Sequence, residues 1–230
     1  MHIPDGFLDP KISTGLLGMA VGVLGYCLGQ VMKTVTALVP HGVMAAAGNV
    51  VGAFQTGSRR IMTRFGADAV RRMGMAAAWV FAAQLFNFPI GSGTSGHLIG
   101  GVFAAVLVGP FAGALVIAAV LAVQAVFFAD GGMLALGANI INMAVLGSLA
   151  SYYLYAGLKK AVSERVAIAI AAWCSVMLAA FACSVEIGLS GTVSLPAVTT
   201  AMLKTHALIG VAEAGLTILL LKLFEGGPRP

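Results

Sequence analysis

Charge is what this chain has little of. Asp, Glu, Lys and Arg make up only 9% of its 230 residues, against 60% hydrophobic, where a soluble domain carries about 25% charged residues. So few charges cannot cover a water-facing surface, which excludes a soluble enzyme or binding module and makes lipid the solvent. Cysteine is scarce too: Cys27, Cys174 and Cys183 lie singly in apolar runs with no CxxC pair, which argues for small packing residues rather than disulfides or thiolate ligands. There is no phosphate loop, no HExxH and no GxSxG, so the chain reads as no enzyme and cannot itself hydrolyse ATP. The net charge of +5 does not signal nucleic acid, because the basic residues fall between apolar runs and no aromatic-and-basic platform accompanies them.

Apolar runs are what the chain does have. A helix of about 20 apolar residues crosses a hydrocarbon core of roughly 30 Å. That measure predicts transmembrane helices at about 13–32, 73–90, 97–109, 111–129, 133–158, 166–185 and 199–223. The expected fold is an all-α integral membrane protein of about seven transmembrane helices, a single transmembrane domain over residues 1–230 of a multi-pass cell-membrane protein. The third run is short, and Gly109-Pro110 separates it from the fourth. With seven spans, Lys33, Arg59, Arg60, Arg64, Arg71, Arg72, Lys159, Lys160, Arg165, Lys222 and Arg229 fall on one side and only Lys11 and Lys204 on the other. The positive-inside rule then puts the amino terminus outside and the carboxyl terminus in the cytoplasm. Tyr152, Tyr153 and Tyr155 beside Lys159 suit an inner aromatic belt.

Residues 33–72 resist the same treatment. The apolar part from Val39 to Ala53 is short and interrupted by Pro40, Gly42, Gly48 and Asn49, with basic residues on both flanks. It reads as a cytoplasmic basic loop with amphipathic helical pieces, and His41 as a solvated loop histidine. In the first helix Gly15, Gly18, Gly22, Gly25 and Gly29 share one face, which lets another helix approach closely in lipid.

The candidate chemistry starts at MHIPDGFLDP. This start has no basic n-region and no cleavage site, so it does not read as a signal peptide and is expected to be the working end of the chain. A residue as large as His2 predicts that Met1 is retained. The terminus then offers a free amine with a pKa near 8, the His2 amide nitrogen and the His2 imidazole. Amine to amide closes a five-membered chelate ring and amide to Nδ1 a six-membered one, a near-planar fan suited to Ni(II) or Cu(II). The second feature is NFPIGSGTSGHLIGG, residues 87–101, a glycine-rich, hydroxyl-rich re-entry expected to aim His97 at the same side of the membrane. His97 would supply a fourth nitrogen, with Thr94, Ser95 and Asn139 as supporting donors. The residues alone leave open that His2 is incidental and that His97 only starts a helix, hydrogen-bonded by Thr94 or Ser95.

Polar residues inside apolar runs default to function and need named partners. Gln84, Asn142, Glu186, His206 and Glu213 are of this kind. His206 and Glu213, two helical turns apart, are either proton carriers or ligands, or hydrogen-bonded partners that fix helix packing. Asp130-Gly131-Gly132 reads first as an outer turn.

At MHIPDGFLDP, FNFPIGSGTSGHLIGG, GPFAGALV, FADGGMLALGANIINM and HALIGVAE the sequence resembles the CbiM/NikM family. These are the substrate-capture (S) components of energy-coupling-factor transporters for cobalt and nickel, and the resemblance covers nearly the whole chain outside 33–72. It implies a seven-helix membrane protein whose amino terminus folds back into an outward-open pocket. It also implies that Met1, His2 and His97 bind the ion, with no other cofactor. The implied partners are a membrane coupling (T) subunit, two cytoplasmic ATPase subunits and a small accessory membrane subunit, with Ala78 and Ala82 on a small-residue face for the coupling subunit. One departure is His97-Leu98, where some members carry histidine–proline. The expected function is cobalt import for cobalamin synthesis, or nickel import by the same machinery. The runners-up are an ion-coupled secondary transporter using His206 and Glu213 and, further back, an intramembrane metalloenzyme.

Overall fold

The computed structural model describes residues 2–40, 58–90 and 94–225. Its elements run α1 (Pro10–Val35), β1 (Thr36–Pro40), β2 (Ser58–Met62), α2 (Arg64–Gln84), β3 (Asn87–Ile90), β4 (Thr94–His97), α3 (Gly101–Val108), α4 (Pro110–Phe127), α5 (Leu136–Leu158), α6 (Glu164–Leu189) and α7 (Leu195–Glu225). Helix starts follow local capping chemistry. The Asp9 carboxylate accepts the Lys11 N–H at 2.8 Å with Pro10 opening α1, and the Thr63 hydroxyl accepts the Gly66 N–H at 2.9 Å to open α2.

Among the described residues five helices, α1 and α4 to α7, are long and apolar enough to cross a membrane. Helix α2 has 21 residues but carries Arg64, Asp68, Arg71 and Arg72 in its first half. It starts nine residues before the expected apolar run and ends at Gln84, short of 90, because β3 takes over. Helix α3 has eight residues, about 12 Å of rise, less than half of a hydrocarbon core of roughly 30 Å. Gly109 at φ +91° and Pro110 turn the chain from α3 into α4. The two helices then pack closely, since a Cβ on Gly113 would stand 2.6 Å from Ala105 Cα.

The middle of α5, Ile141–Ala150, is wound as a π-helix, a rare form that recurs at functional sites. The Ser151 hydroxyl donates to the Leu146 carbonyl at 2.8 Å. Gly101 at the start of α3 lies against the Gly147 carbonyl with no room for a side chain. The core is drawn from every layer, with Ile3, Ile99, Phe103, Leu121, Met143 and Met202 fully buried. Large apolar side chains also face outward, including Phe127, Leu208, Val211 and Leu223. That is the surface of a protein solvated by lipid.

Of the helical pieces expected in 33–72, the first turns of α2 from Arg64 are one; α1 also continues to Val35, and between them the described shoulders pair as an antiparallel ribbon, Thr36 opposite Met62 and Pro40 opposite Ser58. His41 lies outside the described residues. A Cβ added at Gly15, Gly18, Gly22, Gly25 or Gly29 would meet nothing within 4 Å, so among the described residues no helix covers that glycine face. Ala78 and Ala82 are exposed on α2. The three cysteines form no disulfide, and Cys27 and Cys183 are buried.

Candidate metal centre

The amino-terminal segment is threaded into the bundle and stitched to the turn between α4 and α5. Asn139 Oδ1 accepts the Ile3 N–H at 2.8 Å, and Asn139 Nδ2 donates to the Ile3 carbonyl at 3.2 Å. That carbonyl also accepts the Gly132 N–H at 2.9 Å. The Asp5 carboxylate accepts the Met133 and Leu134 N–H groups at 3.2 and 2.8 Å. Thr192 donates to the Phe7 carbonyl at 2.5 Å, and the Ser13 hydroxyl donates to the Leu134 carbonyl. Gly131, at φ +90°, lies against the His2 ring, where a Cβ would sit 3.1 Å from Cδ2.

His97 arrives from the other side. Strands β3 and β4 pair in antiparallel register, Asn87 opposite His97, so the glycine-rich re-entry is a hairpin that ends on the histidine. The backbone just beyond it is gripped twice. Gln84 Nε2 donates to the Ile99 carbonyl at 2.8 Å, and Glu213 accepts the Ile99 and Gly100 N–H groups at 2.9 and 2.7 Å. His97 Nδ1 lies 2.7 Å from the Leu98 carbonyl. A carbonyl only accepts, so Nδ1 carries the proton and Nε2 presents its lone pair.

The two imidazoles meet, with ring centroids 4.5 Å apart and planes 27° from parallel. His97 is fully buried and His2 4% exposed. His2 Nδ1 is 3.0 Å from Asp130 Oδ1, an ion-pair distance, yet neither His2 nitrogen nor His97 Nε2 has an aligned hydrogen-bond partner. Buried polar atoms are nearly always satisfied; here His2 Nε2 and His97 Nε2 have no partner, while His2 Nδ1 faces Asp130. Burial holds both imidazoles below their ordinary pKa, His97 well below and with the His2 charge adding to the effect, while Asp130 pulls the other way on His2. Asp130 in turn is held below the usual carboxylate range by the His2 imidazole beside it. Neutral imidazoles with free lone pairs are what a metal takes. Stacked rings present faces to each other, so sharing one ion in a common plane requires one ring to turn. Among the described residues no three His, Cys, Asp or Glu side chains form a metal-binding group.

Of the residues singled out in the sequence, His2, His97 and Asn139 come together here. Met1 lies outside the described residues, as do the side chains of Thr94 and Ser95. His206 Nδ1 lies 2.7 Å from the Met202 carbonyl, and Asn142 donates to Glu186 at 2.7 Å. Asp130 is the site residue that sequence reasoning placed only in a turn; its contact with His2 spans 128 positions and leaves no local signal. A cavity of about 540 Å³ lies elsewhere, between the end of α1, the start of α2 and the α3–α4 junction, with Gln30, Asp68, Arg71 and Pro110 on its walls.

A lipid-solvated helical bundle with five apolar helices long enough to cross a membrane defines a multi-pass membrane protein, here with a buried histidine pair at its threaded terminus. The chain belongs to the family described as cobalt uptake substrate-specific transmembrane region, whose model matches residues 2–227, so the resemblance noted in the sequence is borne out. It is 35% identical over 223 residues to a putative fused nickel transport protein NikMN of Archaeoglobus fulgidus, covering 94% of this chain and 63% of that one. It therefore spans less than two thirds of that relative's length. A putative metal transport protein of Haloquadratum walsbyi is 35% identical over 94% of this chain and 86% of its own. A cobalt transport protein CbiM of Clostridium tetani is 27% identical over 95% and 79%. A crystal structure of a truncated transition metal transporter superposes with a TM-score of 0.80 at 27% identity, covering 99% of this chain and all of that one.

Proposed function

We infer that this chain captures Co(2+) or Ni(2+) at the outer face of the cell membrane as the S component of an ATP-driven energy-coupling-factor importer. The observation that carries the reading is the stacked, buried imidazole pair of His2 and His97, whose Nε2 atoms have no hydrogen-bond partner. With Met1 as first residue, its amine and the His2 amide nitrogen join His97 and His2 Nδ1 as four nitrogen donors, the metal taking the place of the proton that Nδ1 shares with Asp130. This donor set supports both metals alike, and relatives named for cobalt and for nickel are both at hand. With cobalt as cargo the importer supplies cobalamin synthesis. Seven spans, with α2 and the short α3 completing the five long helices, put the terminus outside by the lysine and arginine count.

The chain has no nucleotide motif, so uptake takes its energy from two ATPase subunits through a membrane coupling subunit, aided by a small accessory membrane subunit. The ion-coupled alternative is less supported, because both oxygens of Glu213 already hold backbone N–H groups. Metal analysis of protein purified with a native, untagged terminus tests capture: about one cobalt or nickel per chain is expected, and none contradicts it. Proteoliposomes holding this chain alone should bind metal without concentrating it; rapid gradient-driven uptake favours the secondary transporter.

A further inference from the structure

Glu213 lies near the middle of α7, 1% exposed, where a carboxylate is expensive unless something uses it. Its Oε2 accepts the Ile99 N–H at 2.9 Å and its Oε1 the Gly100 N–H at 2.7 Å. Among the described residues no Lys or Arg forms a salt bridge with it. The positive end of α3 takes the place of a counter-ion, since the two N–H groups belong to its N-cap, Gly100, and to the residue just before it. Capping α3 alone would need only a local Ser, Thr or Asn. A carboxylate from a helix more than 110 positions away does something a local cap cannot: it fixes the backbone two and three residues past His97 relative to α7. Gln84 holds the Ile99 carbonyl from α2, and Gly100, at φ +71°, leaves no room for a side chain against Val80. The backbone behind the imidazole is thus held from two helices.

The geometry points to Glu213 as a positioning residue for the metal: it holds the His97 imidazole in register with His2, so that capture depends on where α7 sits. This rests on the reading of His97 as a ligand. Glu213→Gln tests it, because the amide keeps one acceptor and turns a donor toward the other N–H. Nickel is titrated into the full-length protein with its native terminus, and both affinity and the ligand-field absorption band are read. Glu213→Gln is expected to weaken nickel binding roughly 10- to 100-fold and to move the band toward that of His97→Ala. The double variant is expected to bind no more weakly than His97→Ala, because the loss passes through His97. Glu213→Asp, which keeps the charge but reaches only one N–H, should move affinity and band the same way by less, and it carries the test if Glu213→Gln does not fold. Native affinity and band in the Glu213 variants, with His97→Ala impaired, overturn the positioning role alone. So does a double variant weakened by the product of the two single effects. Native affinity in His97→Ala overturns the ligand reading and this inference with it.

Discussion

Asn139 grips residue 3 by both of its backbone groups, taking the Ile3 N–H at 2.8 Å and returning a bond to the Ile3 carbonyl at 3.2 Å. One side chain on α5 thereby sets the height of the terminal segment and, one residue back, of the His2 ring. Asn139→Ala leaves the buried Ile3 N–H without its partner, a loss of about 1–3 kcal/mol. The melting temperature in detergent should fall, and nickel affinity should drop by roughly tenfold, as for other groups that orient a ligand. Nickel titration of the variant checks this; native affinity would mean the terminal segment is held in place without Asn139.

Gly132 makes a steric prediction. A Cβ there would run into both the backbone nitrogen and the Oδ1 of Asp5. The backbone cannot move away without breaking the Gly132 to Ile3 bond. Gly132→Ala should therefore destabilise by about 1–3 kcal/mol, as overpacking does, and expose the first residues to protease. Limited proteolysis followed by mass analysis of the amino terminus reads this directly; an uncut terminus would show that the turn adapts.

Much of this was legible in the sequence, and what was missed has a common cause. Composition dictates lipid, Gly109-Pro110 marks the α3–α4 break, and His2 and His97 stand out because a terminal chelate and a glycine-rich hairpin are local patterns. Asp130 and Glu213 were visible only as a turn acid and a buried acid. Their partners are 128 and more than 110 positions away, and no periodicity encodes such pairs. Helix α2 was placed late because its first turns are charged, and hydropathy discounts a helix whose start lies outside lipid. The ribbon of β1 and β2 escaped because its two strands, apolar in one and basic in the other, share no alternating pattern.

Acidity should act through the two imidazoles. Both have folded pKa values below the unfolded value, which is about 6.5. Above that value neither state binds the proton and stability is flat. As pH falls below it, the unfolded chain takes up protons that the folded site refuses, so stability drops. Asp130 is shifted down as well, so its contribution is present above the ordinary carboxylate range and is also lost as pH falls, in stronger acid than for the histidines. Melting of the metal-free protein between pH 7 and pH 5 should therefore show a progressive fall, and nickel affinity should fall with it as protons compete. A flat melting profile across that range would mean the histidines are not buried neutral.

The most direct measurement adds one alanine before Met1 and repeats the nickel and cobalt titration. The extension turns the terminal amine into a peptide bond and removes it as a ligand. The His2 amide then has no five-membered ring to close, and losing its proton becomes unfavourable without that anchor. Two of the four nitrogens go together although no side chain has changed, which leaves the His2 imidazole nearly alone with His97. Tight binding should collapse for both metals while the protein stays folded. If the extended protein binds cobalt or nickel as tightly as the native one, the terminal chelate is wrong.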